Sequence, residues 1–153
     1  MQQMRLYDTL SVDFLDDMKL MSRAELDTYF GRNRDRYGFI NKEDHMILTW
    51  TRQKGLLSFL TDARSVVNGA YQTMKHNLPE FQKEAETEMT VAGQKACGCR
   101  FQFKAKNKDI YQTGNVMAFK YQGAVYACVF YTHTELYQKN YPIYEDVLRS
   151  AQF

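Results

Sequence analysis

Apolar and polar residues alternate with a period of two where the fold begins: Leu10, Val12 and Phe14 are separated by Ser11 and Asp13. That period puts the apolar set on one face of a strand. The next phrase, "DDMKLMS", reads as a turn and a short second strand. In "SRAELDTYFG" the signal changes to a helix, with Ser22 and Glu25 spaced as a capping box and Gly31 as the stop. "RNRDRYGFINKED" is polar and predicts a loop, and "HMILTWTRQ", β-branched and aromatic, predicts a strand with Leu48 and Trp50 on one face.

Over residues 58–78 Leu60, Ala63, Val67, Ala70 and Met74 recur at helical spacing, with Tyr71 beside them. Ser58 or Thr61 is the expected cap, and Pro79 ends the helix because the residue before a proline avoids helical angles. Four strands follow, at about 83–91, 96–106, 110–121 and 124–132. Their connections, Ala92-Gly93, Asn107-Lys108-Asp109 and Gln122-Gly123, are short turns, which makes the four an antiparallel meander. "AVYACVFY" is apolar at nearly every position and so is covered on both faces. The last segment reads as a helix with Tyr137, Tyr141, Tyr144, Val147 and Ala151 on one side. Pro142 fits best in its first turn. The fold class predicted is α+β, an antiparallel sheet flanked by helices, in one domain of 153 residues.

"ACGCRFQFKAKN" holds the most chemistry-like spacing. In a strand, Cys97 and Cys99 share a face with Phe101, Phe103 and Ala105, while Arg100, Gln102 and Lys104 point the other way. Their Cα atoms stand about 6.6–6.8 Å apart, at the outer limit for a disulfide. Metal-binding cysteines usually come as C-x₂-C with a second pair, whereas here only Cys128 remains and His45, His76 and His133 are scattered. The core reading, reduced and metal-free, is preferred to metal or redox chemistry, with Gly98 a candidate bulge that would shift the parity. Interleaved aromatic and basic residues also occur on single-strand nucleic-acid platforms. Ordinary strand alternation accounts for them here, since no RNP pattern surrounds them.

Composition narrows the function classes. The chain is 44% hydrophobic and 25% charged, as globular proteins are, and 20 basic against 18 acidic residues leave a charge of +2. That balance argues against nucleic acid or an anionic membrane as partner. No apolar run approaches the roughly 20 residues of a membrane span. "MQQMRLYDTLSVDF" lacks the apolar core of a signal peptide, so the expected location is the cytoplasm. Phosphate-loop, dinucleotide, nucleophile-elbow and zinc-protease motifs are all missing. Asp13, Asp16 and Asp17 read as a solvated turn, and His133, near Glu135 at a strand–helix junction, reads as a cap or a surface residue in preference to a general base. No catalytic, cofactor or metal residue is assigned. The candidate partner-binding residues are Arg32, Arg34, Arg36 and Tyr37, because clustered arginines beside an aromatic suit an acidic protein surface.

The order of elements resembles the PsbP-like and DcrB-like superfamily over nearly the whole chain. The phrases that carry it are "LSVDFLDDMKLMS", "MILTW", "SFLTDARSVVNGAYQTM" and the ending "YEDVLRSAQF", through Val147, Leu148, Ser150 and Phe153. One departure is "FLDD" where the family often has a proline. The resemblance implies an α/β/α sandwich and a non-enzymatic binding, adaptor or chaperone-like module for a protein partner, with no cofactor. The alternative is a small enzyme or small-molecule binder using a tyrosine-rich pocket near His133.

Overall fold

The computed structural model describes residues 2–30, 35–54, 61–105 and 108–153. A hairpin opens the chain, β1 (Gln2–Leu6) against β2 (Leu10–Phe14), as a two-stranded sheet of its own. The main sheet contains β3 (Lys19–Leu20), β4 (Tyr37–Asn41), β5 (Met46–Gln53), β6 (Gln82–Val91), β7 (Gln94–Lys104), β8 (Tyr111–Tyr121) and β9 (Ala124–His133). Their order is β3-β4-β5-β9-β8-β7-β6, and every pairing is antiparallel. The helices are α1 (Arg23–Phe30), α2 (Ala63–Asn77) and α3 (Tyr137–Ser150).

The meander of β6 to β9 forms as expected, and its last strand then turns back to pair with β5, from Met46↔Thr132 to Gln53↔Val125. That places β9 between β5 and β8 and explains its continuous apolar run. Ala124, Tyr126, Cys128 and Phe130 face one side, and Val125, Ala127, Val129 and Tyr131 face the other. On the second side α2 inserts Val67 among Cys99, Phe101, Phe103, Val116 and Ala118, while α1 packs Leu26 on Ile40 and Ile47. On the first side α3, through Tyr144, Val147 and Leu148, and the hairpin, through Leu6, Leu10 and Val12, enclose Trp50, Phe119 and Phe130. The result is the α/β/α sandwich, with the hairpin completing one layer.

Cys97 and Cys99 share the α2 side with Phe101 and Phe103, so the strand parity is kept. Burial pushes both thiols, and that of Cys128, above the ordinary cysteine range. No bulge occurs at Gly98; the register shift lies in β6 between Lys83 and Ala85. Gly98 is needed for another reason. A Cβ there would stand 1.8 Å from the Val116 carbonyl oxygen, so β7 and β8 approach too closely for any side chain.

Other expectations are corrected. Tyr37–Asn41, read as loop, is a strand, because Phe39 and Ile40 find apolar cover on opposite faces once β5 is beside them. β1 carries no strong signal, yet its edge is taken by β2 and its Leu6 is buried. α2 is capped by Asp62, which accepts from the Ser65 amide at 2.8 Å, rather than by Thr61; Ser58 and Leu60 lie outside the described residues. Pro142 sits within α3 beyond its first turn, after a 3₁₀ turn at Thr134–Leu136. The carbonyl it leaves unpaired belongs to exposed Gln138, which water can satisfy. The capping box forms as expected: Ser22 N donates to Glu25 Oε1 at 3.0 Å, and Glu25 N to Ser22 Oγ at 3.1 Å.

Candidate interaction surface

The two regions singled out by sequence lie at opposite ends of the sheet. At one end are the start of β4, the end of β5, the β8–β9 turn and the β1–β2 turn. At the other are the β4–β5 turn and the end of β9.

The first end is built around Tyr7. With φ values of +56° and +60°, Tyr7 and Asp8 form a left-handed two-residue turn closed by Thr9 N donating to Leu6 O at 3.2 Å. Glycine or asparagine normally takes such positions, and a bulky residue there costs about 1–2 kcal/mol. The ring is held by three sets of contacts. Its hydroxyl lies between the carbonyls of Trp50, at 3.1 Å, and Asp35. The Arg52 guanidinium covers one face at 4.7 Å, and Tyr37 meets it edge-on at 5.0 Å. Burial, then the Asp35 carboxylate, pushes the Tyr7 phenol well above its ordinary pKa, so it stays a neutral donor.

The aromatic contacts continue. Tyr126 lies 6.0 Å from Tyr7, and its hydroxyl is 3.2 Å from Thr9 Oγ1. Phe153 lies 5.1 Å from Tyr126 and stacks on Tyr121 at 3.7 Å with the rings 9° apart. Tyr37, Tyr7, Tyr126, Phe153 and Tyr121 thus form a belt. Tyr37, Tyr7 and Tyr121 are half-buried and Phe153 is 37% exposed.

Of the four candidate residues, Arg32 and Arg34 lie outside the described residues. Arg36 and Tyr37 are consecutive and point to opposite faces, as strand geometry requires. Tyr37 joins the belt. Arg36 folds toward α1, with its guanidinium 4.5 Å over the Phe30 ring and its Nη1 donating to Thr49 Oγ1 at 2.8 Å. Burial lowers the Arg36 pKa, and arginine stays charged nonetheless. Arg36 therefore anchors the start of β4 rather than standing at a rim. Sequence reading missed Tyr7, Arg52, Tyr121 and Tyr126. The one available signal was bulky Tyr7 beside Asp8 and Thr9 between two alternating segments, a turn without glycine.

At the far end the His133 ring stacks on that of His45 at 4.0 Å. Burial, and next the neighbouring His45, lowers the His133 pKa, while Glu135 opposes this. Among the described residues neither ring is hydrogen-bonded to a carboxylate that would orient His133 as a base; the ring of His45 stacks on it instead. Asp44 has a structural role. Lys139 Nζ donates to its side chain at 2.7 Å and Asn140 Nδ2 to its carbonyl at 3.0 Å, and Asn41 Nδ2 links it to Asp17. The tyrosines of α3 do not join His133, which points to the α2 side. Tyr144 is buried beneath α3, donating to Asn115 Oδ1 at 3.0 Å, and Tyr137 lies under Arg100. Among the described residues no group of three or more His, Cys, Asp or Glu is placed to hold a metal ion. Among the same residues no helix is long and apolar enough to cross a membrane.

No protein-family model and no curated protein matches the chain. Solved structures do. The cyanobacterial PsbP (CyanoP) of Synechocystis superposes with a TM-score of 0.68 at 11% identity, over 99% of this chain and 91% of that one. The Ran-binding protein Mog1p of Saccharomyces cerevisiae does so with a TM-score of 0.62 at 10% identity, over 99% and 94%. A Bacteroides thetaiotaomicron protein matches with a TM-score of 0.64 at 13% identity over 97% of this chain, which spans 46% of that protein. The chain has the PsbP/Mog1-like fold, and the resemblance in element order is a true resemblance of fold.

Proposed function

We propose that the protein is a non-enzymatic binding module that contacts a protein partner through the accessible rings of the belt, Tyr37, Tyr7, Tyr121 and Phe153, with Arg52 on Tyr7 and buried Tyr126 beneath them. The observation that carries this is Tyr7, held in a left-handed turn by contacts that also set the angle of its neighbours. Backbone strain kept at a surface cluster points to a role beyond stability. Aromatic and arginine side chains carry most interface energy, and rings already fixed in place lose little entropy on binding. That a neighbour of this fold is a Ran-binding protein supports the class of function, not the partner. Arg32 and Arg34 remain candidates from the sequence for contact with an acidic partner, and Arg36 anchors the strand that carries Tyr37.

The test places a photo-crosslinking residue at Tyr37 and, separately, at Lys139 on the far end. In extract of the native host, the Tyr37 probe should give an adduct that excess unlabelled protein competes away and that Arg52→Ala abolishes. Adducts from Lys139 alone would move the surface to the histidine end. Turnover of a small molecule lost on His133→Ala would replace the binding reading altogether. With the partner in hand, the double Arg32→Ala and Arg34→Ala variant, which leaves the Arg36 anchor in place, should associate more slowly at low salt. An unchanged association rate there would remove the arginines from the surface.

A further inference from the structure

The segment after α3 behaves as a strand. Ala151 has φ −63° and ψ 129°, so the chain leaves the helix already extended. Gln152 then exchanges both backbone bonds with Ser11 of β2: Ser11 N donates to Gln152 O at 2.7 Å, and Gln152 N to Ser11 O at 2.9 Å. Two residues along, Asp13 N donates to Ser150 Oγ at 2.8 Å. β2 is paired with β1 on its other side, so these contacts occupy its outer edge. Side chains alternate as in a strand. Ala151 is buried at 3%, Gln152 is exposed, and Phe153 turns back onto Phe119, Tyr121 and Tyr126.

We propose that the outer edge of β2 and the cradle of Phe119, Tyr121 and Tyr126 form a strand-addition site. Its ligand is an extended peptide of the pattern small–any–aromatic, and Ala151–Phe153 occupies the site in cis. This rests on the reading of the same end as the contact surface, and it names the chemistry of what binds there. An open strand edge recognises backbone without regard to sequence, and pockets for alternate side chains supply selectivity. Here the chain displays its own ligand: backbone pairing at Ser11, a small residue against the core and an aromatic ring on Tyr121. A lifting strap gives up a short set of contacts: the Ser11–Gln152 bridging pair, the Asp13–Ser150 bond, the burial of Ala151 and one partly exposed ring. The floor of the cradle is deeply buried, with Phe119 at 0% and Tyr126 at 3% exposure. Lifting Phe153 uncovers that floor, and only a segment of the same pattern covers it again.

The test uses the double variant Gln152→Pro with Phe153→Ala, which removes the strap's backbone donor to Ser11 as well as its ring, and the peptide acetyl-RSAQF-amide, which repeats Arg149 to Phe153, with acetyl-RSAQA-amide as control. Ring-proton shifts of Tyr121 and Tyr126 report binding. The aromatic peptide should bind the variant and the control should not. Wild type should bind about ten-fold more weakly, the penalty of a strap seated about nine-tenths of the time. Equal binding to both proteins, or none to the variant, overturns the proposal. If the variant does not fold, amide exchange in wild type decides: the Ser11 N–H should open with a lower free energy than that of Val116. Exchange of Ser11 only through global unfolding would show a fixed strap and overturn the proposal. A competed Tyr37 adduct without peptide binding would sink this inference and leave the contact surface standing.

Discussion

Gly98→Ala tests the central geometry of the sheet. The new Cβ would lie 1.8 Å from Val116 O, 2.9 Å from Val116 C and 3.1 Å from Met117 Cα. All three are backbone atoms of β8, so no side chain can swing aside. A carbon–oxygen contact needs about 3.3 Å, so β7 and β8 must part locally by about 1.5 Å. A ladder bond stretched that far is broken. Losing about two such bonds costs about 1 kcal/mol each, and residual overpacking adds about 1–3 kcal/mol. The expected loss is about 3–5 kcal/mol, a large share of the roughly 5–15 kcal/mol that stabilises a domain. For a chain of this size that lowers Tm by about 6–20 °C. Thermal melts by circular dichroism and urea unfolding give the measurement, with the midpoint falling. Gly69→Ala is the opposite control. Nothing lies within 4 Å of its Cβ on the exposed side of α2, so it should stabilise by about 0.5–1 kcal/mol. A Gly98→Ala variant melting within about 1 °C of wild type would refute the argument from strand approach.

Val67→Asp puts a carboxylate into the α2 layer where Val67 is 2% exposed, and should cost about 3 kcal/mol or more by urea unfolding; an unchanged midpoint would show that α2 packs by another face. The His133 pKa is lowered on folding, so the unfolded chain binds the extra proton first and stability is lost as pH falls through about 6.5. Melts from about pH 7.5 to about pH 5 should therefore show a smaller decline for His133→Gln than for wild type, and parallel declines would count against the stacked pair. Cys99 and Cys128 should react with a disulfide reagent near neutral pH far more slowly than half-buried Cys97, and all three should react quickly in denaturant; rapid native reaction of Cys128 would contradict its burial. Tyr7→Phe removes the hydroxyl between two carbonyls and should cost about 1–2 kcal/mol with the fold retained, checked by the same melts.

Several features are legible in the chain itself because each is decided by residues close together in sequence. The Ser22–Glu25 box closes within one turn of helix. The alternation of Cys97, Cys99, Phe101 and Phe103 follows from the period of a strand. Ala92-Gly93 and Gln122-Gly123 carry the left-handed angles that a tight hairpin needs, at φ +51° and +76° and at +47° and +76°. The candidate surface is legible only in part. Tyr37 can be named, but its setting depends on Tyr7, which is 30 residues away in sequence and 5.0 Å away in space.

From the sequence alone follows an α+β chain whose four later strands meander, a helix before them, a helix after them and thiols on an apolar face. These depend on residue period and on turn chemistry, which act over a few residues. Tertiary structure decided the rest. Tyr37–Asn41 became a strand only when β5 and α1 were there to cover it. β9 sits beside β5 because closing that long loop buries an apolar strand on both faces. Arg36 turned inward because Phe30 and Thr49 offer it a ring and an acceptor. The belt around Tyr7 exists because strand ends far apart in sequence meet at one end of the sheet, and a proximity of that kind is written in no local pattern of residues.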